Sequence, residues 1–355
     1  MFNRSRSGAG GADGACRSGV VTVAVATPLS AAPRRPDAAG FLLLAALGAL
    51  WGLTPAIGKA AFGLGATPLA YVFRAAAVAA AILFAVCLAR GRLPPLDARG
   101  LRFHLGSGLI GFAVPNLLGF LVLRFVPAGL FALVIPTAPL LTFALSAALG
   151  LERATWRHGG GVVVALAGTL LALSPGAALP EGGDLAWAAA SLAVPACYAC
   201  SNMFAVRFRP PGADALALAC GTAAGAAAWL ALAAALPGEP WGPLSLASLV
   251  RPHDLLAAGQ GGLTALAYAI YFRLLTRHGG MFASQVGYVV VLTGLFWGAL
   301  LFGEVPGLLV LPAVACIFAG LGLATASAPQ GGQTTRMSGS DTAATTTSSG
   351  RPSRQ

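Results

Sequence analysis

The sequence predicts an all-α polytopic membrane protein of ten transmembrane helices, arranged as two inverted five-helix repeats with both termini cytoplasmic. Three observations carry this. Of 355 residues, 57% are hydrophobic and only 9% are charged, with a mean hydropathy of +0.79. A soluble domain is about 25% charged because its surface must meet water, and lipid removes that requirement. Apolar segments near the ~20-residue length that crosses a bilayer recur along the chain. The arginines alternate from one connection to the next.

The apolar segments fall at 39–59, 67–89, 103–123, 127–149 and 158–174, then at 184–206, 214–236, 253–275, 280–302 and 306–326. The fifth is short and the eighth holds Gln260. Charged or Pro-containing breaks separate them, such as RGRLPPLDARG after the second and RFRPPGAD after the sixth. The segments group into two repeats, 39–174 and 184–326. Residues 1–38, rich in Gly, Ala, Ser and Arg, are expected to form a disordered tail, as are the Ser/Thr/Gly-rich residues 327–355. The apolar run 20–25 is too short to span a bilayer and no clean cleavage site follows it, so no signal peptide is expected.

With the N-terminus inside, the inner connections and the two tails hold eighteen of the twenty-two basic residues. The outer connections hold Lys59, Arg124 and Arg251, and Arg74 lies within a span. Such a bias fixes both ends in the cytoplasm, and an error of one span would scramble it. The expected location is the bacterial inner (cytoplasmic) membrane. The net charge of +11 is therefore a topology signal. No basic face with interleaved aromatics is present, so nucleic acid is not an expected partner. Cys197 and Cys200 form a C-x-x-C inside an apolar run with no second ligand pair, and neither metal nor cofactor is expected.

The two halves resemble each other. RFVPAGLFA (124–132) precedes a segment ending at Glu152, and RHGGMFA (277–283) precedes one ending at Glu304. Phe131 and Phe282 are 151 residues apart, and Glu152 and Glu304 are 152 apart. An odd number of spans per half inverts the second half relative to the first. Inverted repeats place a shared cavity near the bilayer midplane and supply two near-equivalent states. Duplication also favours folding by itself, and both readings stand.

These residues carry a resemblance to the drug/metabolite transporter superfamily, EamA type. Its marks are Ala49-Leu50-Trp51-Gly52 in the first segment and Phe73-Arg74 early in the second. They continue with a Pro- and Leu-rich fourth segment closing on Gly150-Leu151-Glu152, a Gly-rich fifth, and a second Gly-Glu ending at Gly303-Glu304. The second half departs most, with Tyr198 where Trp51 maps and no Arg in the seventh segment. The resemblance implies an exporter or exchanger of metabolites, amino acids or drugs.

The polar residues within spans are the candidates for acting on a solute, because buried polar groups in lipid are costly. The substrate-binding candidates are Trp51, Arg74, Asn116, Tyr198, Asn202, Gln285 and Tyr288. Each also has a packing reading, since amides and hydroxyls hydrogen-bond across helices. Arg74 either snorkels to the interface or braces a helix, or it holds a carboxylate or phosphate. Glu152 and Glu304 have a structural or gating reading, as do Pro55, Pro136 and Pro195, which interrupt backbone hydrogen bonds inside spans. The acidic residues, Asp254 among them, fall in tails, connections or span edges. The absence of a mid-span acid argues for facilitated diffusion or exchange.

The functional expectation is a secondary, non-ATP transporter of small metabolites such as amino acids, working by alternating access, as monomer or homodimer. A lipophilic-cation exporter is the alternative. An intramembrane enzyme would need convergent catalytic groups at depth, which the charge map lacks. A scaffold would rely on a sizeable soluble domain. No G-x-x-x-x-G-K-[ST] occurs, so the chain carries no ATP-driven motor of that type.

Overall fold

The computed structural model describes residues 37–150, 156–174, 185–235 and 251–326. Glu152 and nearly all of both expected tails lie outside the described residues. Regular structure among the described residues is entirely helical. Helix α1 spans Ala38–Gly63 and α2 spans Pro68–Ala89. Helix α3 (Ala98–Gly108) continues through a π-helical turn, Leu109–Ala113, into α4 (Val114–Val122). Helix α5 (Ala128–Val134) continues through a 3₁₀ turn, Ile135–Thr137, into α6 (Ala138–Ala148). There follow α7 (Trp156–Ala172), α8 (Leu185–Ala190), α9 (Ala193–Phe208) and α10 (Ala215–Ala234). The last three are α11 (Pro252–Ser284), α12 (Val286–Phe302) and α13 (Val310–Ala326).

Among the described residues, seven helical stretches are long and apolar enough to cross a membrane: 38–63, 68–89, 98–122, 128–148, 185–208, 215–234 and 252–279. Three shorter apolar helices lie at 159–172, 286–302 and 310–323, on the fifth, ninth and tenth predicted segments. One boundary differs from expectation. No loop separates the eighth segment from the ninth, because α11 runs on to Ser284 with a single break at Gly279 (φ 85°, ψ 170°). Glycine reaches positive φ without a Cβ clash, so one residue suffices to turn the chain.

The ends follow local chemistry. Asp37, Asp97 and Asp214 cap α1, α3 and α10 by accepting backbone N–H bonds from Gly40, Gly100 and Leu216 at 2.7, 3.0 and 3.0 Å. Pro68 and Pro252 occupy first-turn positions, where a missing N–H costs nothing. Inside the helices proline acts the other way. Pro115 follows the π turn and Pro136 sits within the 3₁₀ turn, each lacking the N–H that a regular helix would use there.

In packing, α1 lies against α11 and α12, α2 against α10 and α11, α3 against α10, α5 against α12, α6 against α9, and α7 against α13. Small residues set these approaches, as expected where dispersion rather than hydrophobicity joins helices. Gly48 and Gly52 seat α1 on Val289 and Thr293 of α12, and Thr293 Oγ1 donates to the Gly48 carbonyl at 2.9 Å. Gly221 seats α10 directly on the His104 ring of α3. Large apolar side chains such as Leu42, Leu88, Leu170 and Leu311 face outward, where a bilayer would cover them.

Candidate functional site

A cavity of about 500 Å³ opens between the helices, lined from α1, α4, α5, α6, α9, α11, α12 and α13. Its walls are broken helix. Pro55, Pro115, Pro136 and Pro139 all line it. Pro55 and Pro136 cannot donate to the carbonyls of Trp51 and Ala132, four residues earlier, and these two residues also line it. Its aromatic residues are Trp51, Phe120, Phe131, Tyr198, Tyr268 and Tyr271. The rings of Trp51 and Tyr271 stand 5.6 Å apart, tilted by 43°. Among the described lining residues none is Asp, Glu, Lys, Arg or His.

The polar residues of the wall are partly committed. Asn116 Nδ2 donates to the Phe112 carbonyl at 2.7 Å, and Asn202 Nδ2 donates to Thr142 Oγ1 at 3.0 Å. Each uses one amide N–H, and their oxygens stay open. Thr54, a lining residue, accepts from Gln260 Nε2 at 3.2 Å, and that nitrogen also reaches Thr264 Oγ1 at 3.3 Å. Gln260 is buried and ties α11 to α1 behind the wall.

The structure brings Trp51, Asn116, Tyr198, Asn202, Pro55 and Pro136 together on this cavity. It places the other sequence candidates elsewhere. Pro195 is buried in α9, next to the lining residue Val194. Gln285 caps α12. Tyr288 packs its ring on Phe318 of α13, centroids 4.8 Å apart, and donates to the Phe318 carbonyl at 3.4 Å. Arg74 is not a lining residue. Its Nη1 lies 2.7 Å from Asp254 Oδ1 across the α2–α11 interface, with side chains 10% and 1% exposed. Neither carboxylate oxygen takes an aligned hydrogen bond, so charge holds the pair; His253 Nε2 stands 3.5 Å from the same oxygen.

Glu304 is held at the opposite end of α12. Gly303 ends that helix in the left-handed region (φ 62°), which turns the next residue back towards α5. Glu304 then accepts from Lys59 Nζ at 2.6 Å and from the backbone N–H groups of Ala128 and Gly129, each at 2.9 Å. A carboxylate on the first amides of a helix meets both their hydrogen atoms and the positive end of the dipole.

Sequence reasoning missed Thr54, Phe120, Tyr268, Tyr271 and Gln260. Tyr268 and Tyr271 are three apart on a helix that also carries Gln260, a one-faced polar-aromatic stripe that was legible. Asp254 is at a span edge as expected, in the first turn of α11, but it is only 2% exposed. Position along one helix does not reveal burial by a neighbouring one.

The cavity is thus walled by broken helix and, among the described lining residues, carries no charged side chain. Residues 38–174 match the sequence profile of the EamA-like transporter family. The chain carries an EamA-like transporter domain. That family belongs to the drug/metabolite transporter superfamily, and over these residues the chain is similar to its membrane transporters. The EamA-like domain covers α1 to α7, and it supplies Trp51, Asn116 and the four cavity prolines. The whole chain is also similar in fold to a solved crystal structure of another protein. That likeness has TM-score 0.57 and 22% identity, and covers 82% of this chain and 98% of that one. At such identity it speaks for the fold alone. Comparison with curated proteins finds no match.

Proposed function

We propose that this EamA-like transporter is a secondary carrier of small organic metabolites, an exporter or exchanger that works by alternating access in a bacterial inner membrane. Its two inverted halves are 39–174 and 184–326, with both termini in the cytoplasm. The observation that carries this reading is that the cavity draws equivalent positions from both halves. Trp51 and Tyr198 are 147 residues apart, as are Pro55 and Asn202. Phe120 and Tyr271, Ala132 and Ala283, and Pro136 and Gly287 are each 151 apart, and all of these residues line the cavity.

Helix packing supports the same exchange. Swapping the halves turns the α1–α12 contact into α9–α6 and the α2–α11 contact into α10–α3. It returns α2–α10 and α7–α13 to themselves. Two halves that can trade places around one cavity supply the two states that alternating access needs. Glu304 fits a gating role because it joins three helix ends at one face of the bundle, and Pro55 and Pro136 give the wall a backbone that can readjust. The carboxylate ligand that Arg74 offered in the sequence loses its support, because Arg74 is committed to Asp254.

Counterflow into proteoliposomes tests the reading, with a panel of amino acids, organic acids, nucleosides and lipophilic cations. The expected result is a saturable flux of at least one solute, lost in Trp51→Ala at unchanged thermal stability. Folded protein that moves nothing would sink it.

A further inference from the structure

Two connections at one end of the bundle share a pattern. RLPPLD (92–97) leads into α3, and RPPGAD (209–214) leads into α10. Each is six residues long, opens on arginine, holds a proline pair and ends on the aspartate that caps the next helix. They face each other across a second, open cavity of about 520 Å³, lined by Arg92, Arg99, Asp97 and Asp214 among others. We infer that this cleft binds the phosphate headgroup of an anionic phospholipid. The inference goes beyond the carrier reading and does not depend on it.

The charges favour an anion. Residues 90–102 and 207–214 together hold six arginines and two aspartates. Both aspartates are engaged. Asp97 accepts the N–H of Gly100 at 3.0 Å, and Asp214 accepts those of Leu216 and Ala217 at 3.0 and 3.2 Å. A carboxylate placed there is met by the positive end of its helix. The arginines are held far more loosely. Arg92 Nη1 stands 3.6 Å from Asp214 Oδ2 with its side chain 70% exposed, and Arg99 makes no ion pair among the described residues. A guanidinium grips a phosphate by two parallel N–H bonds.

The frame is set in advance. His104 donates from Nε2 to the Pro95 carbonyl at 3.0 Å, and Arg209 Nη2 donates to the Ala213 carbonyl at 3.4 Å. The proline pairs fix their own φ angles, so little freedom is lost on binding. The neighbours of the cleft then select the source of the phosphate. Leu93 lines it, Leu88, Leu96, Leu101 and Phe208 flank it along the chain, and all five are exposed. A soluble phosphate ester has no contact to make with them, whereas a phospholipid brings acyl chains on the same phosphate. Basic pockets beside membrane helices bind such headgroups. One wall belongs to the EamA-like domain and the other to the chain beyond it, so the lipid would tie the two together.

The test uses the full-length chain in detergent, with bound lipid counted by native mass spectrometry and melting temperature followed in parallel. The probes are dioleoylphosphatidylglycerol, dioleoylphosphatidylcholine, which has the same chains and no net charge, and sn-glycerol 3-phosphate, which has no chains. Phosphatidylglycerol is expected to bind about tenfold tighter than phosphatidylcholine and to raise the melting temperature, and glycerol phosphate to do neither. The double variant Arg92→Gln/Arg99→Gln should bind phosphatidylglycerol about tenfold more weakly and melt as wild type without lipid. Because Arg92 neighbours a capping residue, Arg99→Gln alone serves as the second variant and should lose severalfold. Arg124→Gln, at the opposite end of the bundle, should bind as wild type. Equal binding of the two lipids, an unchanged preference in both cleft variants, or an equal loss in Arg124→Gln would each overturn the inference. Glycerol phosphate that binds and stabilises as the lipid does would also overturn it, by making the occupant a soluble phosphate ester.

Discussion

Arg74 of α2 and Asp254 of α11 form a buried ion pair 2.7 Å long that joins the EamA-like domain to the second half of the chain. Among the charged groups of the surrounding helices, Lys59 of α1 is taken by Glu304, and α10 and α12 contribute no charge. His253 is a weaker neighbour of the same carboxylate, its Nε2 3.5 Å from Asp254 Oδ1.

Removing one partner strands a charge in an apolar interface. Arg74→Met or Asp254→Leu should each cost about 3–5 kcal/mol of stability. The double replacement should cost less than either single one, since no charge is left behind. Unfolding of the four proteins in detergent measures this, and strictly additive costs would show that the two side chains do not interact.

Glu304→Ala removes an ammonium contact and the acceptor of two backbone N–H bonds together. The expected loss is about 2–4 kcal/mol, given the strength of charge-assisted hydrogen bonds in a half-buried setting. Glu304→Gln keeps an acceptor for the amides of α5 and should lose less. Lys59→Met should lose the least, because the amides remain. A different order in thermal unfolding would mean that the ammonium, not the helix end, dominates the tie.

Gly221 faces the His104 ring so closely that a methyl group has no room. His104 is itself fixed by donating from Nε2 to the Pro95 carbonyl at 3.0 Å. Gly221→Ala should destabilise by about 1–3 kcal/mol through overpacking. Adding His104→Ala should recover part of that loss by vacating the site. If the second change only deepens the defect, the clash is not with the ring.

Pro136→Ala restores an N–H to the stretch that now runs as a 3₁₀ turn. The helix from α5 to α6 should regularise and melting temperature should rise, while the rate of solute flux falls, a trade commonly met where strained backbone serves function. A variant that is more stable and equally fast would show that the break is incidental to transport.

The sequence made the helices and their order readable because lipid demands long apolar runs. Trp51, Asn116, Tyr198 and Asn202 were readable because each is a polar or aromatic residue within a predicted apolar segment. Tyr268 and Tyr271 were not weighed, and they complete the aromatic wall only when α11 is laid against α1. Arg74 shows the limit in physical terms. Its depth along α2 was countable, but its partner is 180 residues away. Nothing local in either stretch encodes which charge will meet which. Gly279 was visible as a glycine, but whether a helix stops there or turns on one residue depends on what receives the next segment.

The grip on Glu304 has a consequence for how this protein tolerates change. Two of its three partners are main-chain amides, at Ala128 and Gly129. Every amino acid except proline carries that N–H, so most mutations at those codons leave the donor in place. Random drift reaches the tie mainly through Glu304 itself, through Lys59, or through Gly298, where any side chain would meet the carboxylate. Heritable variation that breaks this joint is thus channelled into a few positions.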